Sequence, residues 1–353
     1  MADEQLSLLS DGRDDRVAAD QAERDLVRTT LDRTLFVEAG AGSGKTRALV
    51  DRIEQLVLSG VEMESIAAIT FTEKAAAELS DRIRHRLEAL VSTGAGSEVD
   101  LAITALQQLD GAAVGTLHSF AQRVLGEHPV EAGLPPGVEV LDEIGSQVEF
   151  ELRWSGFVDR LLDDPDLGRS LLVLETSAVK LDHLRSLALM LGANWDLVAD
   201  RLDLRPPDPP PLDSDALLAA LDEVLALEHG CTDDDDTLLA RFAQLHEIRG
   251  RLADALDDFD ALDIANGIAS LTKVGNKGKK GNWPDVVAVR DAVRSIGERA
   301  DAEVAAITTA ALERIAGALG SFVLEAAELR RASGRLEFHD LLVRARQLLR
   351  DPT

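Results

Sequence analysis

The segment Ala39-Gly40-Ala41-Gly42-Ser43-Gly44-Lys45-Thr46 most narrows what this chain can fold into. An apolar run, Leu35-Phe36-Val37, precedes it. A helical pattern of Leu49, Val50, Ile53, Leu56 and Val57 follows and is closed by Gly60. Strand, glycine-rich turn and helix in that order predict a phosphate-binding loop of the α/β class. Gly40, Gly42 and Gly44 lack Cβ, so the backbone can curl with its N–H groups pointing inward. The helix N-terminus behind them adds partial positive charge. Lys45 can reach the β- and γ-phosphates of ATP, and Thr46 can offer a hydroxyl to Mg²⁺. Arg47 follows in the same turn. Ala39 stands where the first glycine of such a loop is usual. A bland glycine turn is the plain alternative, but it would rarely carry Gly-Lys-Thr between a β run and an amphipathic helix.

Two further strand-to-helix junctions repeat this layout. Ile66-Ala67-Ala68-Ile69 reads as a short buried strand and leads into Thr70-Phe71-Thr72-Glu73-Lys74. Leu79, Ile83, Leu87 and Leu90 then recur at helical spacing. Hydroxyls and free N–H groups at such a junction can hold a DNA phosphate, with Lys74 beside them. Phe71 offers a flat face for a base. Its alternative is a core aromatic, with the threonines serving only as helix caps. The third junction runs from Ala113-Val114-Gly115 into Thr116-Leu117-His118-Ser119-Phe120. Thr116, His118 and Ser119 are again short polar groups at a strand end. His118 alone reads equally as a structural hydrogen-bonding histidine.

The net charge of −27 opposes a nucleic-acid role at first sight, since DNA-binding chains usually show basic surface. Salt screens exposed charge beyond ~8 Å, so local balance decides. Residues 273–283 hold Lys273, Lys277, Lys279 and Lys280 and no acid, in a chain with seven lysines in all. That concentration suggests phosphate contact through Lys277, Lys279 and Lys280. The alternative is a flexible solvated loop. The acidic run Asp233, Asp234, Asp235 and Asp236 reads as a solvated loop leading to a helix rather than a metal site. One cysteine, Cys231, excludes an internal disulfide and fits a reducing cytoplasm. No uninterrupted apolar run approaches the ~20 residues of a membrane span, so no membrane partner is expected.

Residues 1–20 read as a flexible N-terminus and residues 21–140 as the first part of an α/β motor domain. Residues 141–333 read as all-helical, and 334–353 return to the motor. Three strands are too few for a complete sheet. The proline-rich stretch at 205–211 reads as an extended linker, and Pro284 as the start of a long helix.

Taken together, the segments resemble the UvrD/Rep-type superfamily 1 DNA helicases. Residues 39–46 resemble their motif I, residues 70–79 motif Ia and residues 116–120 motif Ib. Ala19-Asp20-Gln21 resembles the Q motif, in which the glutamine reads the adenine edge. Leu336-Glu337-Phe338-His339-Asp340-Leu341-Leu342 resembles the segment that shortly precedes the Walker B strand. Glu73, where many relatives have asparagine, leans toward the RecB/AddA-like helicase–nuclease branch. The resemblance implies a RecA-like P-loop NTPase sheet with a large helical insertion. It implies ATP and Mg²⁺ as cofactors, and 3′-to-5′ movement along single-stranded and forked DNA in repair or recombination. It also makes a second helicase/nuclease chain a candidate partner. No Asp-Glu pair on a hydrophobic strand follows Asp340, so the sequence reads as the N-terminal part of a longer helicase, inactive by itself. Two rivals stay open: a P-loop ATPase that does not act on DNA, and a non-catalytic nucleotide- and DNA-binding module of a larger complex.

Overall fold

The computed structural model describes residues 21–40 and 42–350. Ala41 and the 1–20 segment lie outside the described residues, as do the expectations made for them. The chain divides into two compact units, one holding the described residues 21–132 and 344–350 and the other Gly133–Val343.

In the first unit α1 (Gln21–Thr29) and α2 (Lys45–Leu58) precede β1 (Ala67–Thr70) and α3 (Glu73–Thr93). Then come α4 (Ser97–Gln108), β2 (Ala113–Thr116) and α5 (Leu117–Glu127). β1 and β2 pair in parallel, with Thr70 opposite Thr116. Val50, Ile53 and Val57 of α2 share one core with Leu79, Ile83 and Leu87 of α3. Their spacing of three and four residues puts each set on one helix face, which is why these sequences are helical here. Arg52 ties α1 to α2 by donating to the Val27 and Thr30 carbonyls at 2.6 and 2.7 Å. Arg86 ties α3 to α2 through Glu54 at 2.8 Å, and that carboxylate is buried.

One expectation is corrected. Leu35-Phe36-Val37 is not a strand among the described residues, and Phe36 is 94% exposed. A strand exists only where a neighbour completes its ladder. β1 pairs with β2, and no described strand pairs with residues 35–37.

The second unit is helical between two short strands. β3 (Glu139–Val140) leads to α6 (Glu143–Asp163), α7 (Pro165–Thr176), α8 (Leu181–Gly192) and α9 (Trp195–Arg201). α10 (Ser214–Leu225), α11 (Leu239–Ala253), α12 (Asp258–Leu271) and α13 (Val286–Ser333) follow, before β4 (Arg335–Leu336) and α14 (Phe338–Arg350). β3 pairs in parallel with β4, so the chain enters and leaves this unit side by side. The unit reaches beyond residues 141–333 because its flanks are tied to it. Arg331 donates to the Gly133 carbonyl. Asp340 is 1% exposed and accepts from Arg330 Nε at 2.6 Å, Arg330 Nη2 at 3.0 Å and Trp195 Nε1 at 2.8 Å. It also accepts from the Glu337 backbone N–H at 2.9 Å, which caps α14. Burial pulls the Arg330 pKa down, but the Asp340 carboxylate outweighs it and holds the guanidinium above its ordinary value.

α13 has 48 residues, about 72 Å at 1.5 Å per residue. It begins at Val286, one residue after the Asp285 side chain that caps it, rather than at Pro284. By length and composition it could cross a membrane. Here its apolar stripe, including Val293, Ile307, Ala311, Ile315 and Leu319, is buried in the core of the unit. The proline-rich stretch is extended but laid down on the helices. Arg169 donates to the Pro209 and Pro210 carbonyls, and Arg314 to that of Pro206.

Candidate functional site

The phosphate loop sits at the N-terminus of α2. Gly42 has φ +75° and Gly44, the N-cap, φ +88°. Both are left-handed values that a side chain would strain. Nothing lies within 4 Å of where a Cβ on Gly40 or Gly42 would stand, so the loop is an open cradle. The loop closes on itself through Ser43, whose hydroxyl donates to the Gly40 carbonyl at 2.8 Å. Lys45 folds back and donates to the carbonyls of Ala39 and Gly40 at 2.7 and 2.8 Å. An arriving phosphate would exchange those two neutral acceptors for an anionic one, a stronger bond. Thr46 is half-buried in the first turn, where its hydroxyl can serve a metal ion.

Arg24 belongs to this site although no motif marks it. Its Nη2 donates to the Ser43 carbonyl at 2.7 Å, so α1 grips the loop directly. A Cβ on Gly44 would stand 3.0 Å from the same guanidinium. The signal lies in the spacing, since Arg24 comes three residues after Gln21 and hence on the same helix face. Gln21 donates to Asp25 at 3.2 Å. Gln21, Arg24, Arg28, Arg47, Asp51 and Arg86 line a cleft of about 520 Å³ beside the loop, in which guanidinium groups outnumber carboxylates. That cleft has the size and charge for an anionic ligand.

The other two junctions meet at one sheet edge. Thr72 caps α3 by accepting from the Ala75 N–H at 3.2 Å, and Thr116 caps α5 by accepting from the Ser119 N–H at 3.2 Å. Thr70 donates to the Thr72 carbonyl at 3.1 Å. The Thr116 hydroxyl in turn bonds Glu73 at 3.0 Å and Ser119 at 3.1 Å, so the two junctions are bonded to each other. Gly115 is required beside them, because a Cβ there would stand 2.5 Å from the Ser119 hydroxyl. Phe71 is 98% exposed at this edge, which removes the core alternative for it. Lys74 is exposed next to it, and His118 is half-buried on the first turn of α5. The capping alternative for Thr72 and Thr116 is what these bonds show, and the hydroxyls still stand at the strand ends.

Lys277, Lys279 and Lys280 belong to the second unit. Their loop is an exposed turn whose backbone is hydrogen-bonded to Asp236 and Arg290, and the acidic run is not wholly solvated. Asp236 is 4% exposed. It accepts from the backbone N–H groups of Lys279 and Leu238 and from the Asn282 amide, at 2.9, 2.9 and 2.8 Å. Burial pushes its carboxyl pKa up, but those N–H donors outweigh burial and hold it below the ordinary carboxylate range. A charged turn was expected to face water, but this carboxylate has four lone-pair sites to fill and finds its donors inside.

Residues 19–193 match the UvrD/REP helicase N-terminal domain family. Over that stretch the chain is similar to the family. Among its relatives, DNA helicase II of Haemophilus influenzae is 41% identical over 138 residues, covering 39% of this chain and 16% of that protein. DNA helicase II of Escherichia coli is 43% identical over 109 residues, covering 31% of this chain and 13% of that protein. An ATP-dependent helicase/nuclease subunit of Pediococcus pentosaceus is 29% identical over 136 residues, covering 38% of this chain and 11% of that protein. The chain thus spans a sixth or less of the length of these relatives, and both helicases and helicase/nuclease subunits are among them.

Proposed function

We propose that this chain is the ATP- and single-strand-binding part of a cytoplasmic DNA helicase that serves repair or recombination and moves 3′ to 5′. The register of β1 against β2 carries this reading. It sets Thr70, Phe71 and Thr72 beside Thr116, His118 and Ser119 at one sheet edge. The edge joins a stacking face to capped helix N-termini, a combination suited to holding a strand without reading its sequence. Residues 39–46 would hold the phosphates of ATP and Gln21 its base, while Arg24 grips the loop through the Ser43 carbonyl. Thr46 would hold Mg²⁺, which supplies charge neutralisation at the phosphates. Lys45 neutralises the transferring phosphate, and Arg47 and Arg28 face the cleft beside it. The side-by-side entry and exit at β3 and β4 support an all-helical insertion within a RecA-like, P-loop motor. A second helicase/nuclease chain is a partner consistent with the relatives named as helicase/nuclease subunits.

The test is ATP turnover by the intact protein with and without a single-stranded oligonucleotide, followed by unwinding of duplexes carrying a 3′ or a 5′ tail. DNA-stimulated turnover with unwinding from the 3′ tail is expected. Turnover indifferent to DNA would overturn the helicase reading in favour of a P-loop ATPase with another target. Unwinding from the 5′ tail alone would overturn the polarity.

A further inference from the structure

A cavity between α6, α8 and α13 has no part in that function. We propose that it binds a small aromatic acid, a flat apolar body carrying one carboxylate or sulfonate. All of its residues belong to the second unit, so it does not depend on the ATP and DNA reading.

The cavity measures about 480 Å³, within the range of small-molecule sites. Its floor is apolar, made by Phe150, Ala188, Phe322, Val323 and Ala326. An aromatic cluster fixes that floor. Phe150 stacks on Trp154 with centroids 6.0 Å apart and planes 9° apart, and meets Phe322 edge-on at 6.2 Å. Phe322 also packs on Phe157 at 4.7 Å. Small residues make the room. Ala188 and Ala326 carry only a methyl group, and a Cβ on Gly192 would meet nothing within 4 Å. A ring laid on this floor extends the cluster by further offset or edge contacts, which favours an aromatic body.

The polar groups of the wall select the head. Arg153 and Arg185 are half-buried beside the floor, and each guanidinium has five N–H donors. Among the described residues each makes one hydrogen bond, Arg153 to Glu149 at 2.7 Å and Arg185 to Glu151. Glu149 also accepts from Arg335, so one carboxylate serves two cations. Arg185 lies over the Phe150 ring, 5.5 Å from its centroid, which holds the guanidinium against the floor. Donors to spare next to an apolar surface suit an anion, and such charge-assisted bonds are about twice as strong as neutral ones. Two carboxylates also line the cavity. Glu143 is exposed at the rim, and Glu337 is paired with Arg330 at 3.5 Å. Burial lifts the Glu337 pKa above the ordinary carboxylate value against the pull of Arg330, which weakens its repulsion of an acid.

Arg330 closes one end of the cavity. Its Nη1 faces Glu337, while Nε and Nη2 hold Asp340. A ligand seated there buttresses the tie between α13 and the start of α14. Because it binds the folded unit, it also raises the unit's resistance to unfolding.

The experiment titrates the intact protein with anilinonaphthalene sulfonate, an aromatic anion whose emission rises when it leaves water. The bound dye is then displaced by naphthoate, naphthylmethanol and naphthylmethylamine, which share a body and differ in the head. Naphthoate should displace it about tenfold better than the alcohol, the effect of one hydrogen bond to a charged group, and the amine should be the poorest. Leu189→Trp, at a partly exposed position of the wall, should fill the cavity and remove the saturable dye signal. Ala193→Trp, at an exposed position of the wall, is a second filler and should act alike, so misfolding of one variant does not decide the result. Arg185→Met should erase the advantage of naphthoate over the alcohol, and Arg185→Lys should restore part of it. Dye binding that both fillers leave unchanged, or no saturable dye binding to the wild type, would overturn the site. An alcohol or amine that displaces the dye as well as naphthoate would overturn the class of ligand.

Discussion

The strand ends of the first unit and the lysine loop of the second dispose their aromatic residues in opposite ways. At the edge the aromatic residue, Phe71, stands almost fully in water, and the polar groups around it are hydroxyls that cap helices. At the loop the aromatic residue, Trp283, is packed away and the lysines are outside. An exposed ring costs hydrophobic stabilisation and offers stacking, whereas an exposed ammonium costs little and offers only charge. The difference teaches that the fate of a ring in a polar segment depends on whether the fold brings it a neighbour, as Phe242 is brought to Trp283 and nothing to Phe71.

The largest effect should come from Lys45→Ala. It should lower DNA-stimulated ATP turnover by about 10²- to 10³-fold, the usual cost of one lost transition-state donor. Thermal stability should stay near the wild-type value, because the exposed Lys45 side chain holds only loop carbonyls. Wild-type-like turnover would break the assignment of the phosphate loop.

Asp236→Ala comes next. It strips the acceptor from two backbone N–H groups and an amide, at about 1–3 kcal/mol for each buried donor left unmade. A loss of about 3 kcal/mol is expected in denaturant unfolding followed by Trp283 emission in a background where Trp154 and Trp195 are replaced by phenylalanine. The same carboxylate gives a pH test. Its folded-state pKa is lowered, so its contribution is complete above the ordinary carboxylate range and disappears as pH falls through the lowered value. In that same background Trp283 emission should therefore hold steady through mildly acid pH and change only in stronger acid. A transition centred at neutral pH would show that Asp236 does not pin the loop.

Phe71→Ala sharpens the comparison from the other side. Single-strand affinity should weaken by about 1–3 kcal/mol. Thermal stability should move by less than about 0.5 kcal/mol, because the ring is not part of a core. Unfolding of the variant would show that the exposed ring is a structural element after all. The smallest effect belongs to Glu73→Ala, which removes the acceptor of the Thr116 hydroxyl. About 1 kcal/mol of stability is expected to be lost, measured by thermal unfolding. An unchanged midpoint would mean that the bond between the two junctions contributes nothing.

Much of this was legible in the sequence where periodicity and turn chemistry act locally. The glycine spacing at 40, 42 and 44 carried the loop, and the spacing of Leu79, Ile83 and Leu87 carried α3. Pro284 marked the onset of α13 to within two residues. What stayed hidden depends on partners far away in the chain. Leu35-Phe36-Val37 has strand composition, but a ladder needs a neighbouring edge that no local pattern supplies. Asp236 looks like any residue of an acidic run until Asn282 and the Lys279 N–H fold onto it. Arg24 reads as one more helix arginine until the Ser43 carbonyl arrives. Phe71 posed the reverse case, since an aromatic residue between threonines suits a core and a surface equally well. Its exposure in the folded chain decides it.

α13 has a mechanical consequence. Arg290, near its first turns, grips three carbonyls of the lysine loop, and Arg330, near its last, is locked to Asp340. Those two grips are about 60 Å apart along one axis at 1.5 Å per residue. A rod held that way acts as a lever. Sideways displacement of about 1 Å at the loop corresponds to a tilt of only about 1° at that arm length. Load taken up by the loop would thus reach the Asp340 clamp as a small torque on α14, with little movement in the helices between.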